Sequence, residues 1–400
     1  MNPLIQLKRT NQLFVLTFVL ACFGVLNGAQ AIITNPEDWF ANGNTGVGDS
    51  ALFRLGRGRF NTGVGVMSLN GLVDGAYNTA VGAGALFANK GDNNTATGAS
   101  ALLSNTFGTD NTANGISALG RNVEGSWNTA MGSQALASNT GYNNTAIGFQ
   151  ALWSNTDGSF NAAVGNNALL NNTLATFNTA IGQDSLLLTT IGGGNTGVGY
   201  GALSSTTSGS TNIALGYYAG WSVTDAFNVI CIGSLGANVS NSTWIGNVYG
   251  IAPESGNTVP VVVSDSGQLG TVASSERFKK DIANMDKTSE AILSLRPVTF
   301  HYKTDARETP QFGLVAEEVA KVNPALVVPD KGGKPYTVRY DAVNAMLLNE
   351  FLKEHRKVEK LEAALRAVNE RVAEQDAKIA KVSAQLELSK SAPQTVLNDR

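Results

Sequence analysis

A short pattern of apolar and polar residues recurs along most of the chain. Its copies, related to N-T-A-x-G, begin at Asn44, Asn61, Asn78, Asn94, Asn111, Asn128, Asn144, Asn161, Asn178, Asn195 and Asn212, and degenerate copies begin at Asn228 and Ser242. Successive regular copies start 16 or 17 residues apart, and most continue as G-x-x-A-L. One unit has too few apolar positions to form a core alone, whereas a stack of units can bury them.

The composition of each unit favours strands and corners over helix. Gly and Asn occur twice per unit and disfavour helix, and Asn, Gly and Ser suit tight corners. We expect the Val or Ile before the Gly and the Ala-Leu pair to form the core. We also expect the repeat Asn to close a turn at each corner rather than to form a glycan-binding row. Residues 32–248 are therefore predicted to form a β-solenoid or β-roll of about a dozen coils, spaced ~4.8 Å apart.

The pattern changes after the repeats. Residues 249–273 predict a β stem, in which the strand VPVVVS and the turn DSGQLG precede a second strand. Residues 274–350 predict a small α+β domain with a short helix ended near Pro297, a strand, and a strand-helix unit stopped by Pro324. A Gly-Gly hairpin follows, and then one long helix with Asp341 as its N-cap.

The long helix carries a heptad repeat, which predicts a coiled coil over residues 351–390. The a positions are Val358, Leu365, Val372, Ile379 and Leu386, and the d positions are Leu361, Val368, Gln375 and Val382. Apolar residues at this 3-4 spacing, flanked by Glu, Lys and Arg, are typical of coiled coils. The number of helices stays open from these residues. Residues 391–400 are expected to be disordered.

The first 31 residues predict a secretory signal peptide. Lys8 and Arg9 precede an apolar run from Leu13 to Leu26, and a small-x-small cleavage signal ends at Ala31. The run is shorter than the roughly 20 residues of a membrane span. We therefore expect an exported mature chain that starts near Ile32 and has no membrane span. An uncleaved anchor and a lipoprotein signal ending at Cys22 are the alternatives.

Charge, histidine and cysteine content limit the kinds of binding site and chemistry that the sequence predicts. The net charge of -3 gives no support for nucleic-acid binding, and 40 of the 59 charged side chains follow Ala273. The repeats contain no histidine, no metal-ligand cluster and no nucleotide-binding loop, so neither a metal nor another cofactor is predicted. Without Cys22, only Cys231 remains. It lies in an apolar segment and is expected to be a buried core thiol.

The repeats resemble the head repeats of trimeric autotransporter adhesins, whose N-x-x-x-G coils build a left-handed β-roll from three chains. The period of 16–17 residues is longer than is usual in that family, and no C-terminal run of membrane-anchoring strands follows. The resemblance implies a homotrimer and an adhesive role at the cell surface or outside the cell. A surface glycan or a host receptor would then be the partner, and no residue pattern identifies it.

The segment from residue 274 onward resembles the C-terminal intramolecular chaperone domain of endosialidase-type tailspikes and tail fibres, a self-cleaving serine peptidase family. The motif S-x-x-R-x-K-x-x-I falls on Ser274, Arg277, Lys279 and Ile282, and LRPVTFHYK, QFGLVAEEVAKVNPALV and VRYDAVNAMLLNEFLKEH also match. The resemblance implies that this domain trimerises, templates folding of the upstream repeats, and then cuts its own chain before Ser274. Chains that lie in parallel share one symmetry, so a trimer implies a coiled coil of three helices.

The resemblance assigns roles to residues at the cut. Ser274 would attack the carbonyl of Ala273, and Lys279 would take the serine proton if its ammonium is partly desolvated, because a serine hydroxyl is a weak nucleophile without a base. Backbone N–H groups would stabilise the oxyanion. Glu276 and Arg277 are candidate orienting or structural residues.

Several alternatives remain open. Ser275 and Lys280 have the same spacing as Ser274 and Lys279, although Arg277 and Ile282 fit the family pattern only with Ser274. The sequence does not connect His301 or His355 with the junction. Without the rest of the domain, the junction would be interpreted as a solvated linker in which neither serine reacts. The chain is therefore predicted to be an exported trimeric fibre that cuts itself once. A non-cleaving adhesive fibre is the main alternative, and a phage-type tail fibre is the third, against which the signal peptide argues.

Overall fold

The computed structural model describes residues 42–390. The predicted signal peptide with its cleavage site at Ala31, and the predicted tail at 391–400, lie outside the described residues. The chain divides into two compact units, one ending at Ala252 and the other beginning at Pro253. The finer domain boundaries drawn from the sequence, at 273/274 and 350/351, stay predictions.

The first unit is a β-solenoid in which each repeat contributes one short strand. The strands are Thr45–Val47 (β1), Thr62–Val64 (β2), Thr79–Val81 (β3), Thr95–Thr97 (β4), Thr112–Asn114 (β5), Thr129–Met131 (β6), Thr145–Ile147 (β7), Ala162–Val164 (β8), Thr179–Ile181 (β9), Thr196–Val198 (β10), Ile213–Leu215 (β11), Ile230–Ile232 (β12) and Thr243–Ile245 (β13). They form one parallel sheet in strict sequence order, and equivalent residues of successive repeats pair. The predicted solenoid of about a dozen coils is confirmed.

The solenoid core consists of small and medium aliphatic side chains. From β2 to β12 the middle residue of the strand is buried, and in most coils the Ala-Leu pair after it is buried too, as Ala130, Ala135 and Leu136 are in one coil. The expectation that the Val or Ile before the Gly is also buried was wrong. Val47 is 55 % exposed and Ile181 is 43 % exposed, because the first and third residues of each strand point away from the core.

The repeat Asn, which was predicted to close a turn at each corner, is an interior residue whose side chain bonds to neighbouring coils. Asn61 is fully buried, and its main-chain N–H donates to Asn44 Oδ1 across 2.8 Å. Its Nδ2 donates to the carbonyl of Gly75, also across 2.8 Å. The same contacts recur up the stack, so each amide links one coil to its neighbours inside the solenoid.

Neighbouring coils approach closely at the Gly that ends each strand, as expected from the fixed small residues. Gly48 has a φ of +123°, and a Cβ at this position would lie 2.7 Å from the carbonyl carbon of Gly65. A side chain here would meet the backbone of the next coil and would also require a conformation that L residues rarely adopt.

The second unit combines short strands, 3₁₀ turns and two α-helices. The elements are, in order, strands Val261–Val263 (β14) and Leu269–Thr271 (β15), 3₁₀ helices Glu276–Phe278 and Asp286–Ser294, strands Val298–Phe300 (β16) and Gln311–Gly313 (β17), helix Ala316–Val322 (α1), 3₁₀ helix Pro324–Leu326, strands Val327–Pro329 (β18) and Pro335–Val338 (β19), and helix Tyr340–Lys390 (α2). The strands pair as three antiparallel hairpins, β14 with β15, β16 with β17, and β18 with β19. The predicted stem hairpin, small α+β region and long helix are confirmed.

A small core fastens the start of α2 to the rest of the second unit. Val319 of α1, Leu326, Val338 of β19 and Met346 of α2 are buried together. The hydroxyl of Tyr340 also accepts a hydrogen bond from the main-chain N–H of Leu314, at 3.0 Å. This helix begins at Tyr340, so Asp341 lies in its first turn rather than at the predicted N-cap.

Beyond that core, α2 continues as a helix whose apolar residues have no cover. Leu361 is 61 % exposed and Ile379 is 62 % exposed, and the other apolar a and d residues of the heptads are exposed too. The described helices include none that is long and apolar enough to cross a membrane. The coiled-coil pairing of α2 therefore remains a prediction about an assembly of chains.

Candidate functional site

The junction between the stem hairpin and the 3₁₀ helix Glu276–Phe278 places one serine beside one lysine. The 3₁₀ turn forms because the carbonyl of Ser275 accepts the N–H of Phe278 at 3.0 Å, and the carbonyl of Glu276 accepts the N–H of Lys279 at 2.9 Å. The turn carries the chain back on itself over five residues. As a result, Lys279 Nζ lies 3.3 Å from Ser274 Oγ.

The competing pair with the same spacing does not meet. In the described part of the chain, the only side-chain hydrogen bond between these two serines and two lysines joins Lys279 to Ser274. The carbonyl of Ser275 accepts the Phe278 N–H of the 3₁₀ turn, and the hydroxyl of Ser275 makes no hydrogen bond to either lysine in the described chain. Identical spacing in sequence therefore leads to different contacts in space.

The two candidate orienting residues lie next to the pair without bonding to it. The guanidinium of Arg277 sits over the ring of Phe278, 4.6 Å from its centroid, in a cation–π contact. Glu276 contributes its carbonyl to the turn that presents Lys279. Their observed contacts support the local backbone, and neither side chain hydrogen-bonds to Ser274 or Lys279 in the described chain.

The whole junction is open to solvent in the single chain. Every residue from Ile251 to Asn284 is exposed, including Ala273 before the candidate nucleophile. Oxyanion stabilisation and partial desolvation of a lysine both require groups that exclude water. The single chain brings the candidate nucleophile and the candidate base together but leaves both exposed to solvent.

The two histidines stand apart from the junction. His301 follows β16 and is exposed. His355 lies on α2, where its ring stacks on Phe351 and its Nε2 is 3.5 Å from Glu359 Oε1. Neither histidine contacts Ser274.

A second serine-lysine arrangement lies where α2 packs on the 3₁₀ helix Asp286–Ser294, and the sequence did not predict it. Ser289 is fully buried; its hydroxyl donates to Glu350 Oε1 and accepts from Asn349 Nδ2 at 2.7 Å. Lys353 Nζ is 2.7 Å from the same carboxylate oxygen and 3.4 Å from the Ser289 hydroxyl. No local motif signals this cluster, because some 60 residues separate its two halves.

Electrostatics in this cluster oppose a catalytic role. The hydrogen bond to Glu350 raises the pKa of Lys353, and the same bond lowers the pKa of the Glu350 carboxyl. This direction favours the protonated lysine, which is a poor acceptor for the Ser289 proton. The cluster fastens the long helix to the domain.

Cys231 is the one cysteine among the described residues, and it is buried. No group of His, Cys, Asp and Glu within residues 42–390 could hold a metal ion. Cys231 occupies the inward position that Ala214 has in the preceding strand, and burial raises the pKa of its thiol. The predicted buried core thiol is confirmed.

Comparison with known proteins finds a family match over part of the second unit. Residues 274–328 match the model of the Peptidase_S74 family, described as chaperone of endosialidase. The match begins at Ser274 and covers the 3₁₀ turn, β16, β17 and α1. No curated protein and no solved structure matches the chain significantly.

Proposed function

We propose that this protein is an exported, homotrimeric fibre whose C-terminal domain is an intramolecular chaperone that cuts the chain between Ala273 and Ser274. The observation that carries the proposal is the 3.3 Å approach of Lys279 Nζ to Ser274 Oγ, at the first residue of the chaperone family match. The match to a self-cleaving peptidase family gives that contact a chemical interpretation, and the contact supports Ser274 over Ser275 as the nucleophile.

The proposed reaction is an acyl shift followed by hydrolysis. Ser274 Oγ attacks the carbonyl carbon of Ala273 while neutral Lys279 accepts the hydroxyl proton. Lys279 then returns that proton to the departing amide nitrogen of Ser274, which becomes a free amine as an ester forms with Oγ. Water hydrolyses the ester, leaving a carboxylate on Ala273 and restoring the Ser274 hydroxyl.

The exposed junction supports coupling of this reaction to assembly. A lysine acts as a base only when it is neutral, and removal of water favours the neutral form. Packing of other copies over the junction would supply that desolvation and the oxyanion donors that the single chain lacks. Cleavage would then follow trimerisation rather than precede it.

Two unpartnered apolar surfaces support self-association. The heptad residues of α2 are exposed along the whole helix, and an amphipathic helix needs a partner for its apolar stripe. The outward face of the solenoid sheet carries a row of exposed aliphatic residues: Val47, Val81, Met131, Ile147, Ile181, Leu215, Ile232 and Ile245. Parallel copies of one chain would cover both surfaces with the same symmetry.

A chaperone role has a physical basis in the solenoid. Its sheet pairs residues of successive repeats, so assembly must proceed coil by coil and exposes strand edges until it is complete. A helical bundle at the C-terminus assembles from local contacts and would hold the copies in register meanwhile. Release of the bundle would leave the product without its template.

The test is a denaturing gel with mass spectrometry of the wild type, Ser274→Ala and Lys279→Ala. We expect a wild-type fragment that ends at Ala273 and intact chains in both variants. Ser275→Ala and Lys280→Ala are the matched controls and should cut normally. An uncut wild type would contradict self-cleavage and favour a fibre with a permanently attached trimerisation domain. Loss of cutting in Ser275→Ala alone would shift the nucleophile by one residue.

A further inference from the structure

The hairpin just before the junction has one apolar face. Val263 pairs with Leu269 and Val261 pairs with Thr271, and residues that pair across an antiparallel hairpin share a face. Val261, Val263 and Leu269 therefore point to the same side and are 63 to 68 % exposed, whereas Val262 and Gly270 face the other side. The apolar face is defined by these first three residues.

The described chain provides nothing to cover the apolar face. Every residue from Ile251 to Asn284 is exposed, so neither strand of the hairpin is packed against another element. A two-stranded hairpin alone is at best marginally stable in water. Three large aliphatic side chains on one of its faces therefore indicate a partner.

The chemistry of the hairpin fits a second copy of this chain as that partner. Between Val259 and Val272 the only charged residue is Asp265, which lies in the turn away from the apolar face. Identical faces can therefore meet without repulsion between like charges. The hairpin is also continuous in sequence with the domain whose long helix exposes its own apolar stripe, so association through α2 would bring equivalent hairpins together.

The position of the hairpin relative to the cut determines what its interface would do. Strand β15 ends at Thr271, two residues before Ala273, so the hairpin stays with the upstream product while α2 leaves with the released domain. We propose that the apolar face of β14 and β15 is a chain-to-chain interface that holds the C-terminal end of the processed fibre together. The interface rests on the proposed self-association, and its role in the processed fibre rests on the proposed cleavage.

The first test separates release from self-cleavage. In the full chain with Ser274→Ala, a recognition sequence for a site-specific protease is inserted after Ala273, so that the C-terminal domain can be removed at will. Val261→Thr with Val263→Thr replaces the apolar face by isosteric polar residues, and Val262→Thr is the control on the opposite face. The mass of the upstream product is measured by light scattering over a dilution series.

We expect the parent and Val262→Thr to remain multi-chain after the cut. The double variant should dissociate at a concentration about tenfold higher, or more, where tenfold corresponds to 1.4 kcal/mol of association free energy. A double variant that stays as well assembled as the parent would overturn the proposal.

If the double variant does not assemble at all, a crosslinking measurement tests the interface without it. With Cys22→Ser and Cys231→Ala as background, Leu269→Cys and Val262→Cys are treated with a short bismaleimide. We expect covalent chain-to-chain products from Leu269→Cys and few from Val262→Cys. An assembled protein that gives none from Leu269→Cys would contradict the interface.

The outcomes distinguish the two proposals. A wild type that never cuts itself, combined with a double variant that falls apart after the added protease, retains the interface and rejects self-cleavage. A wild type that cuts itself, combined with a double variant that stays assembled, supports self-cleavage and rejects the interface.

Discussion

Glu350 joins α2 to the 3₁₀ helix Asp286–Ser294 through a carboxylate that can be protonated. Its carboxylate accepts hydrogen bonds from Lys353 and from the buried Ser289, and its pKa lies below the ordinary value because of them. The folded chain therefore binds this proton less tightly than the unfolded chain. The stabilisation is complete above the ordinary pKa of a glutamate and is lost as the pH falls through the lowered folded-state value.

We expect Glu350→Gln to lower the melting temperature of the second unit by a few degrees at neutral pH. Acidification to about pH 3 should also lower the melting temperature of the variant less than that of the wild type. Thermal melting followed by circular dichroism at several pH values measures both effects. Glu354→Gln, on an exposed part of the same helix, is the control and should change neither. Equal pH profiles for the wild type and Glu350→Gln would contradict this account.

At the scale of the element, the coil is held to its neighbours by buried amides. Asn128 donates to the carbonyl of Gly141 at 2.9 Å and accepts the main-chain N–H of Asn144 at 3.0 Å. A second interior row consists of Asn89, Asn105, Asn122, Asn139, Asn155 and Asn172. The row ends at Asn172. The next coil carries Thr189, whose hydroxyl donates to Thr206, and Asn172 Oδ1 therefore has no hydrogen-bond partner. Each amide oxygen of the row thus needs a donor from the coil that follows it.

We expect Asn128→Ala to destabilise the solenoid by about 1–3 kcal/mol, because it leaves the buried main-chain N–H of Asn144 without its acceptor and removes one of the two hydrogen bonds to the Gly141 carbonyl. The shift in the guanidinium midpoint of unfolding measures the loss. Asn114→Ala, at an exposed outward position of β5, is the matched control and should be close to neutral. A similar loss for both variants would mean that the interior amides do not stabilise the stack.

At the scale of the whole molecule, the described residues of a single chain leave three apolar surfaces exposed to solvent. The heptad residues of α2, the aliphatic row on the solenoid sheet and the apolar face of the stem hairpin are all exposed in the single chain. Soluble monomers rarely keep such extended apolar surfaces uncovered. Self-association is the economical explanation, because one symmetry would cover all three.

We expect Leu365→Lys to weaken assembly of the full chain at least about tenfold, because burying one leucine contributes about 1.5–3 kcal/mol. Sedimentation velocity over a range of concentrations measures the change. Ala367→Lys introduces the same charge at an outward heptad position and should assemble normally. If Leu365→Lys assembles as the wild type does, the heptads are not an interface.

Much of the fold was predictable from the order and spacing of residues. The period of the repeats indicated one strand per coil, and Pro297, Pro324 and the Gly-Gly turn marked the ends of elements in the second unit. The orientation within each coil was not predictable. Strands of three residues are too short to show an alternation, so the sequence could not tell that Ala faces inward and Val or Ile faces outward.

The sequence by itself determined the repeat architecture, the order of the elements and the two serine-lysine candidates at the junction, because periodicity, turn residues and spacing are local properties. Only the tertiary structure decided that the repeat Asn is an interior ladder, that Ser274 rather than Ser275 meets a lysine, and that Ser289 binds Glu350 across 61 residues. Each of these contacts depends on the direction in which a turn or a neighbouring coil returns the chain, and that direction is set by packing rather than by the residues on either side.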